Sequence, residues 1–174
     1  MNMVRRFRVL GLLALALLGL LVGTVGSVAA DSNYTCPDKS CAFSVPDYYS
    51  EVSNDATSVI FKDANSGGTF TAVTTDFPAT ATLDDAVTAV IGQFSGADGY
   101  QADPSGVQNE TLSGNPARSF LFTENNSDGT PVEVKVFFSV YQGKLYLLSF
   151  ATTPDAEDAF VAGAQPVFDS WSFT

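Results

Sequence analysis

Leu145-Tyr146-Leu147-Leu148-Ser149-Phe150 carries an apolar side chain at every position but Ser149. In a strand, successive side chains point to opposite faces, so Leu145 and Leu147 share one face while Tyr146, Leu148 and Phe150 share the other. A strand that is apolar on both faces belongs at the centre of a sheet with cover on each side. Just upstream, Val132 to Tyr141 alternates more cleanly. Val132, Val134, Val136, Phe138 and Val140 fall on one face, and Glu133, Lys135, Phe137, Ser139 and Tyr141 on the other. Gln142-Gly143 between these two stretches is a turn signal, so the pair reads as a hairpin.

The pattern extends outward from this pair. Val107 to Ser113 leads through Gly114-Asn115-Pro116 into Arg118 to Thr123, and Ser127-Asp128-Gly129 turns the chain into Val132 to Tyr141. With Lys144 to Thr152 this makes a meander of four strands. Ser58 to Lys62 and Thr69 to Asp76, joined by Asn65-Ser66-Gly67-Gly68, form a separate hairpin, and Cys41 to Pro46 is a short apolar strand ended by proline.

Two helices supply the cover that the central strand requires. Thr82 with Asp85 three residues later resembles a capping box, and Leu83, Ala86, Val87, Val90, Ile91 and Phe94 recur at helical spacing up to Ser95-Gly96. A second helix is expected after Thr153 as cap and Pro154 in the first turn. There Asp155, Glu157 and Asp158 would complement the positive helix end, and Phe160, Val161, Ala164, Val167, Phe168 and Trp171 would form one stripe. Pro166 is expected to kink or break that helix. The fold class is therefore α+β, an antiparallel sheet of about six strands with helices covering both faces.

The chain has 174 residues, with 8 Lys+Arg, 19 Asp+Glu and no histidine. The absence of histidine excludes Ser-His-Asp and Cys-His catalysis and histidine-ligated metal sites within one chain. Arg5, Arg6 and Arg8 precede the uncharged run Val9 to Val22, and Val28-Ala29-Ala30 offers small residues for a cut before Asp31. Residues 1–30 read as a signal peptide and 31–174 as one domain, secreted or otherwise extracytoplasmic. An uncleaved N-terminal membrane anchor is the alternative. Without the leader, Lys39, Lys62, Arg118, Lys135 and Lys144 stand against the 19 acidic residues, a net charge of −14. Nucleic acid and anionic membrane surfaces are not expected as partners.

Cys36 and Cys41 are the two cysteines of the chain, in Cys36-Pro37-Asp38-Lys39-Ser40-Cys41. After export they are expected to form a disulfide closing an N-terminal hairpin, stabilising it by roughly 2 kcal/mol. Asn33, Asn109 and Asn125 head glycosylation sequons.

In order, the chain presents Phe43-Ser44-Val45-Pro46 before Tyr48-Tyr49, the Thr82-Leu83-Asp84 helix start, Leu112-Ser113-Gly114-Asn115-Pro116-Ala117, Gly143-Lys144-Leu145-Tyr146 and the closing Ser170-Trp171-Ser172-Phe173. This series resembles the PsbP-like superfamily over roughly residues 41–174. The resemblance implies an antiparallel sheet covered by helices, a binding or assembly role, and no catalytic residues to carry over. It also implies that Val45-Pro46, Gly114, Pro116, Trp171 and Phe173 are architectural.

Three functional readings follow. The first is an exported, non-catalytic binding or accessory protein of the envelope or extracellular space. It would act on a protein or envelope component, favoured if basic, with no cofactor and as a monomer. Tyr48, Tyr49 and Tyr141, with Tyr100, are its candidate groove residues. The second is divalent-cation binding at Asp63-Ala64-Asn65 or Asp128, although an EF-hand register from Asp63 would place Thr74 where a bidentate carboxylate is needed. The third is a carboxylate-based hydrolase using Asp84-Asp85 or Glu157-Asp158. Neighbours in sequence on a helix point about 100° apart and do not converge on a substrate.

Overall fold

The computed structural model describes residues 32–174, with the side chains of 157–160 excepted. The expected leader and its cut before Asp31 lie outside the described residues. Eleven strands and two α-helices are present among them: β1 Ser32–Thr35, β2 Cys41–Val45, β3 Tyr49–Asn54, β4 Ser58–Asp63, β5 Thr69–Asp76, α1 Leu83–Phe94, β6 Gln101–Ala102, β7 Gln108–Leu112, β8 Asn115–Asn125, β9 Pro131–Tyr141, β10 Lys144–Thr152, α2 Glu157–Ser170 and β11 Ser172–Phe173.

Strands β3-β4-β5-β10-β9-β8-β6 form an antiparallel sheet in that order, with β7 also paired to β8. The strand apolar on both faces, β10, lies inside it between β5 and β9. Leu145 and Leu147 enter one core with Val134, Val136, Phe138, Phe120 and Phe122, which α1 covers through Ala86, Val90 and Phe94. Tyr146, Leu148 and Phe150 enter a second core on the opposite face, covered by Ala164, Val167 and Trp171 from α2 and its end and by Cys41, Phe43 and Val45 of β2.

The turns are as the residue types require. Gln142 (φ 48°) and Gly143 (φ 75°) make the two-residue β9–β10 turn, and Ser113 (φ 49°) and Gly114 (φ 77°) make that of β7–β8. Both central residues have positive φ, the conformation whose twist matches the flanking strands. The α1 capping box is complete, with Asp85 N–H donating to Thr82 Oγ1 at 3.2 Å and Thr82 N–H donating to Asp85 Oδ2 at 2.8 Å.

Several details differ from the sequence reading. The main sheet has eight strands instead of about six, because β3 (Tyr-Ser-Glu-Val-Ser-Asn) is a polar edge strand without alternation and β6 is two residues long. A second sheet, β1-β2-β11, exists because Ser172↔Ala42 and Phe173↔Cys41 pair across most of the chain. Thr153 does not cap α2: its carbonyl accepts from Ala156 N–H at 2.9 Å, closing a 3-10 turn over Pro154–Ala156 before the helix begins. Pro166 does not break α2, which continues to Ser170. Proline costs the bond to the carbonyl of Ala162, and both residues face solvent, where water can satisfy that oxygen. Trp171 follows the helix in extended backbone and stacks on Phe43, with centroids 4.9 Å apart.

Candidate functional site

The groove of interest lies where α2 crosses the sheet. Val161, Ala164, Gln165 and Phe168 are spaced i, i+3, i+4 and i+7, so one helix face presents all four. Opposite them stand Lys135 and Phe137 of β9 and Phe150 of β10, and β7 contributes Glu110 and Thr111 at the side. The groove has a volume of about 290 Å³. Its floor is aromatic: Phe137 and Phe168 centroids are 4.5 Å apart, Phe150 and Phe168 5.0 Å, and Phe137 meets Phe150 edge-on at 6.3 Å. Val161 at the rim is 42% exposed, an uncovered apolar side chain beside an apolar floor.

Two charged groups flank this floor. Lys135 Nζ sits 5.0 Å from the centroid of Phe137, two residues along the same strand and hence on the same face. Glu110 Oε1 accepts a hydrogen bond from Ser119 Oγ at 2.9 Å, which ties its carboxylate to β8.

The tyrosines named from sequence do not line this groove. Tyr48 donates its hydroxyl to the carbonyl of Gly163 at 2.8 Å and thereby pins α2. Tyr49 is buried; burial raises its phenol pKa far above the usual value, and the nearby Asp63 and Tyr48 add to this. Tyr141 stacks on Phe173 at 4.7 Å, and Tyr100 packs on Phe122 at 5.1 Å in the other core. Of these four, Tyr48 braces α2 through its hydroxyl, while Tyr49, Tyr100 and Tyr141 are held by ring packing. The usable signal was Phe137, an aromatic on the polar face of β9 beside a lysine.

The oxygen-rich turns are occupied by their own backbones. Asp63, 2% exposed, accepts from Asn65 N–H at 2.7 Å through Oδ1 and from Ser66 Oγ at 2.7 Å through Oδ2. Asn65 is exposed, and Thr74 lies buried on β5 with its Oγ1 4.0 Å from Cys41 Sγ. Asp128 accepts from Thr130 N–H at 2.8 Å, and hydrogen bonds from Thr130 hold its carboxyl below the usual range. In the sheet order β10 lies between the β4–β5 and β8–β9 hairpins, so Asp63 and Asp128 sit in separate turns. No group of three or more His, Cys, Asp or Glu side chains converges among the described residues.

Asp84 pairs with Arg118 at 3.2 Å while Asp85 serves the cap, so these neighbours are engaged separately. The side chains of Glu157, Asp158 and Phe160 lie outside the described residues. Cys36 and Cys41 form the expected disulfide, and both are buried. Lys144 reaches Asp38 at 2.9 Å and Asp76 at 3.2 Å, joining the disulfide loop to the edge of β5. Of the sequon residues, Asn33 and Asn109 are exposed, whereas Asn125 donates its amide to Asp98 at 3.2 Å.

The sequence matches no family model and no curated relative. Solved structures do match. Cyanobacterial PsbP (CyanoP) from Synechocystis sp. PCC 6803 aligns with a TM-score of 0.61 at 16% identity, over 88% of this chain and 99% of that one. LpqN, involved in cell envelope biogenesis of Mycobacterium tuberculosis, aligns at 0.58 and 16% identity, over 83% of this chain and 90% of that one. A Bacteroides thetaiotaomicron protein aligns at 0.60 and 11% identity, over 84% of this chain and 49% of that one. The fold is PsbP-like, as the sequence resemblance implied. Among the described residues no helix is long and apolar enough to cross a membrane.

Proposed function

We propose that this chain is a non-catalytic, extracytoplasmic binding or accessory protein whose ligand-binding surface is the groove between α2 and strands β7, β9 and β10. The observation that carries the reading is the concave lining formed by Phe137, Phe150 and Phe168 beside the exposed Val161. Concave, mostly apolar sites with a few placed polar groups are the usual form of small-ligand pockets. The leader-like first thirty residues and the Cys36–Cys41 disulfide support an extracytoplasmic setting. A structural neighbour involved in cell envelope biogenesis supports the accessory role. The acidic neighbours Asp84 and Asp85 are engaged in structure, which favours binding over hydrolysis.

The test is a titration with octan-1-ol followed by amide and ring chemical shifts. Saturable shifts confined to α2, β9 and β10, and lost in Val161→Asp, support the groove as a binding surface. Shifts spread over the whole molecule, or none with either octan-1-ol or its carboxylate counterpart octanoate, refute it.

A further inference from the structure

Resting on that reading of the groove, we infer that its ligand is an apolar monocarboxylate of about ten non-hydrogen atoms, with the carboxylate held by Lys135 and the apolar body laid across Phe137, Phe150 and Phe168. The first support is how cations are deployed after residue 30. Arg118 is spent on Asp84, Lys144 is spent on Asp38 and Asp76, and Lys39 and Lys62 stand in solvent. Lys135 alone among these five is half-buried without a carboxylate within ion-pair distance among the described residues, its ammonium instead resting over Phe137.

In a chain with nineteen acidic side chains, an ammonium over an aromatic groove floor with no ion pair among the described residues is a prepared anion contact. Its partial burial strengthens the interaction that an incoming carboxylate would make. The surrounding acids then set the ligand's charge. Glu110 lines the same groove and Glu133 lies two residues from Lys135 on the same face of β9, so a second negative charge on the ligand would meet repulsion. That selects a monoanion over a phosphate dianion.

Size follows from volume. At about 290 Å³ the groove lies at the small end of the range of ligand pockets, which suits a small body of about ten heavy atoms. The three phenylalanine rings accept either an aliphatic chain or an aromatic ring, the latter by offset or edge-on packing.

The probes are octanoate and 3-phenylpropionate, compared with octan-1-ol and octylammonium, on protein expressed from its full sequence. Both carboxylates should bind at the groove in chemical-shift titrations. Lys135→Gln should weaken octanoate about tenfold, the size of one charge-assisted hydrogen bond, and leave octan-1-ol unchanged. Lys135→Arg should restore octanoate. Unchanged circular dichroism and unfolding midpoints would show that the variants fold. Octan-1-ol binding as well as octanoate, octanoate indifferent to Lys135→Gln, or octylammonium preferred at the groove would each overturn the carboxylate assignment while sparing the groove. Failure of octan-1-ol and of both carboxylates to bind would overturn the groove itself.

Discussion

The two faces of the sheet are covered in different ways. On the α1 face, one helix and the apolar side chains of β8, β9 and β10 make a closed core in which Val134, Val136 and Phe138 are each fully buried. On the α2 face the cover is assembled from separate pieces: a helix, a three-stranded sheet, a disulfide loop and the C-terminal residues. Here the hydroxyl of Tyr49 and the indole N–H of Trp171 are buried without a hydrogen-bond partner among the described residues, and here the groove opens. A continuous cover excludes ligands and concentrates stability. A cover made of pieces leaves seams, and seams are where small ligands fit.

The strongest way to break this contrast is truncation of one aromatic on each face. Phe138→Ala should cost about 3–5 kcal/mol in urea unfolding, since it empties a filled core. The half-buried Phe137→Ala should cost less than half of that while abolishing ligand shifts at the groove. Equal costs would mean that the α2 face is as closed as the other.

Replacing Cys36 and Cys41 together by serine should lower stability by about 2 kcal/mol, because a short unfolded-state loop is released. Hydrogen exchange should accelerate in β1, β2 and β11 and not in α1. A matched acceleration in α1 would show that the faces are one cooperative unit.

Helix substitutions sharpen the contrast further. Thr82→Ala removes the α1 cap and should cost about 1 kcal/mol. Gly163→Ala in α2 should add about 0.5–1 kcal/mol, because the new methyl would meet Tyr48 Cε2 at an ordinary 3.5 Å and helix entropy favours alanine. Thermal midpoints that move the other way would contradict the packing assigned to α2.

The smallest effect concerns Asp55 in the β3–β4 turn. Hydrogen bonds from the Thr57 N–H and then from Ser58 and the Thr57 hydroxyl outweigh burial and hold its carboxyl below the usual range. A depressed folded pKa stabilises the fold above the unfolded pKa of about 3.9, and that stabilisation disappears as pH falls through the folded value. Asp55→Asn should therefore be less stable than the parent at pH 7, with the gap closing below about pH 4. A constant gap from pH 7 to pH 3 would rule out the ionised carboxylate as its source.

Legibility followed the same division. Every element of the closed face was readable, since alternation in β9, two apolar faces in β10 and helical spacing in α1 are local patterns. The pieced face was read less well. β1 and β11 are four and two residues long, and β3 is a polar edge, so none carries an apolar pattern of its own; β1 and β3 are ordered by hairpin pairing with β2 and β4, and β11 by pairing with β2 across most of the chain. The start of α2 was placed at Thr153 because Pro154 suits both a first helical turn and a 3-10 turn. Tyr48, Tyr49 and Tyr141 were candidate groove residues because nothing local distinguishes a lining aromatic from a bracing one. Phe137, Phe150 and Phe168 meet only when β9, β10 and α2 are docked.

The pairing of β11 with β2 also orders events in time. Ser172 Oγ donates to the carbonyl of Ala42 across 130 residues, whereas the two cysteines are separated by only 5. Contacts this distant pay a larger closure entropy and form late. On this ground the Cys36–Cys41 bond is expected to form before β11 docks, and Phe173, which pairs opposite Cys41, to cover it afterwards. In that order of events β11 would seal a loop already closed.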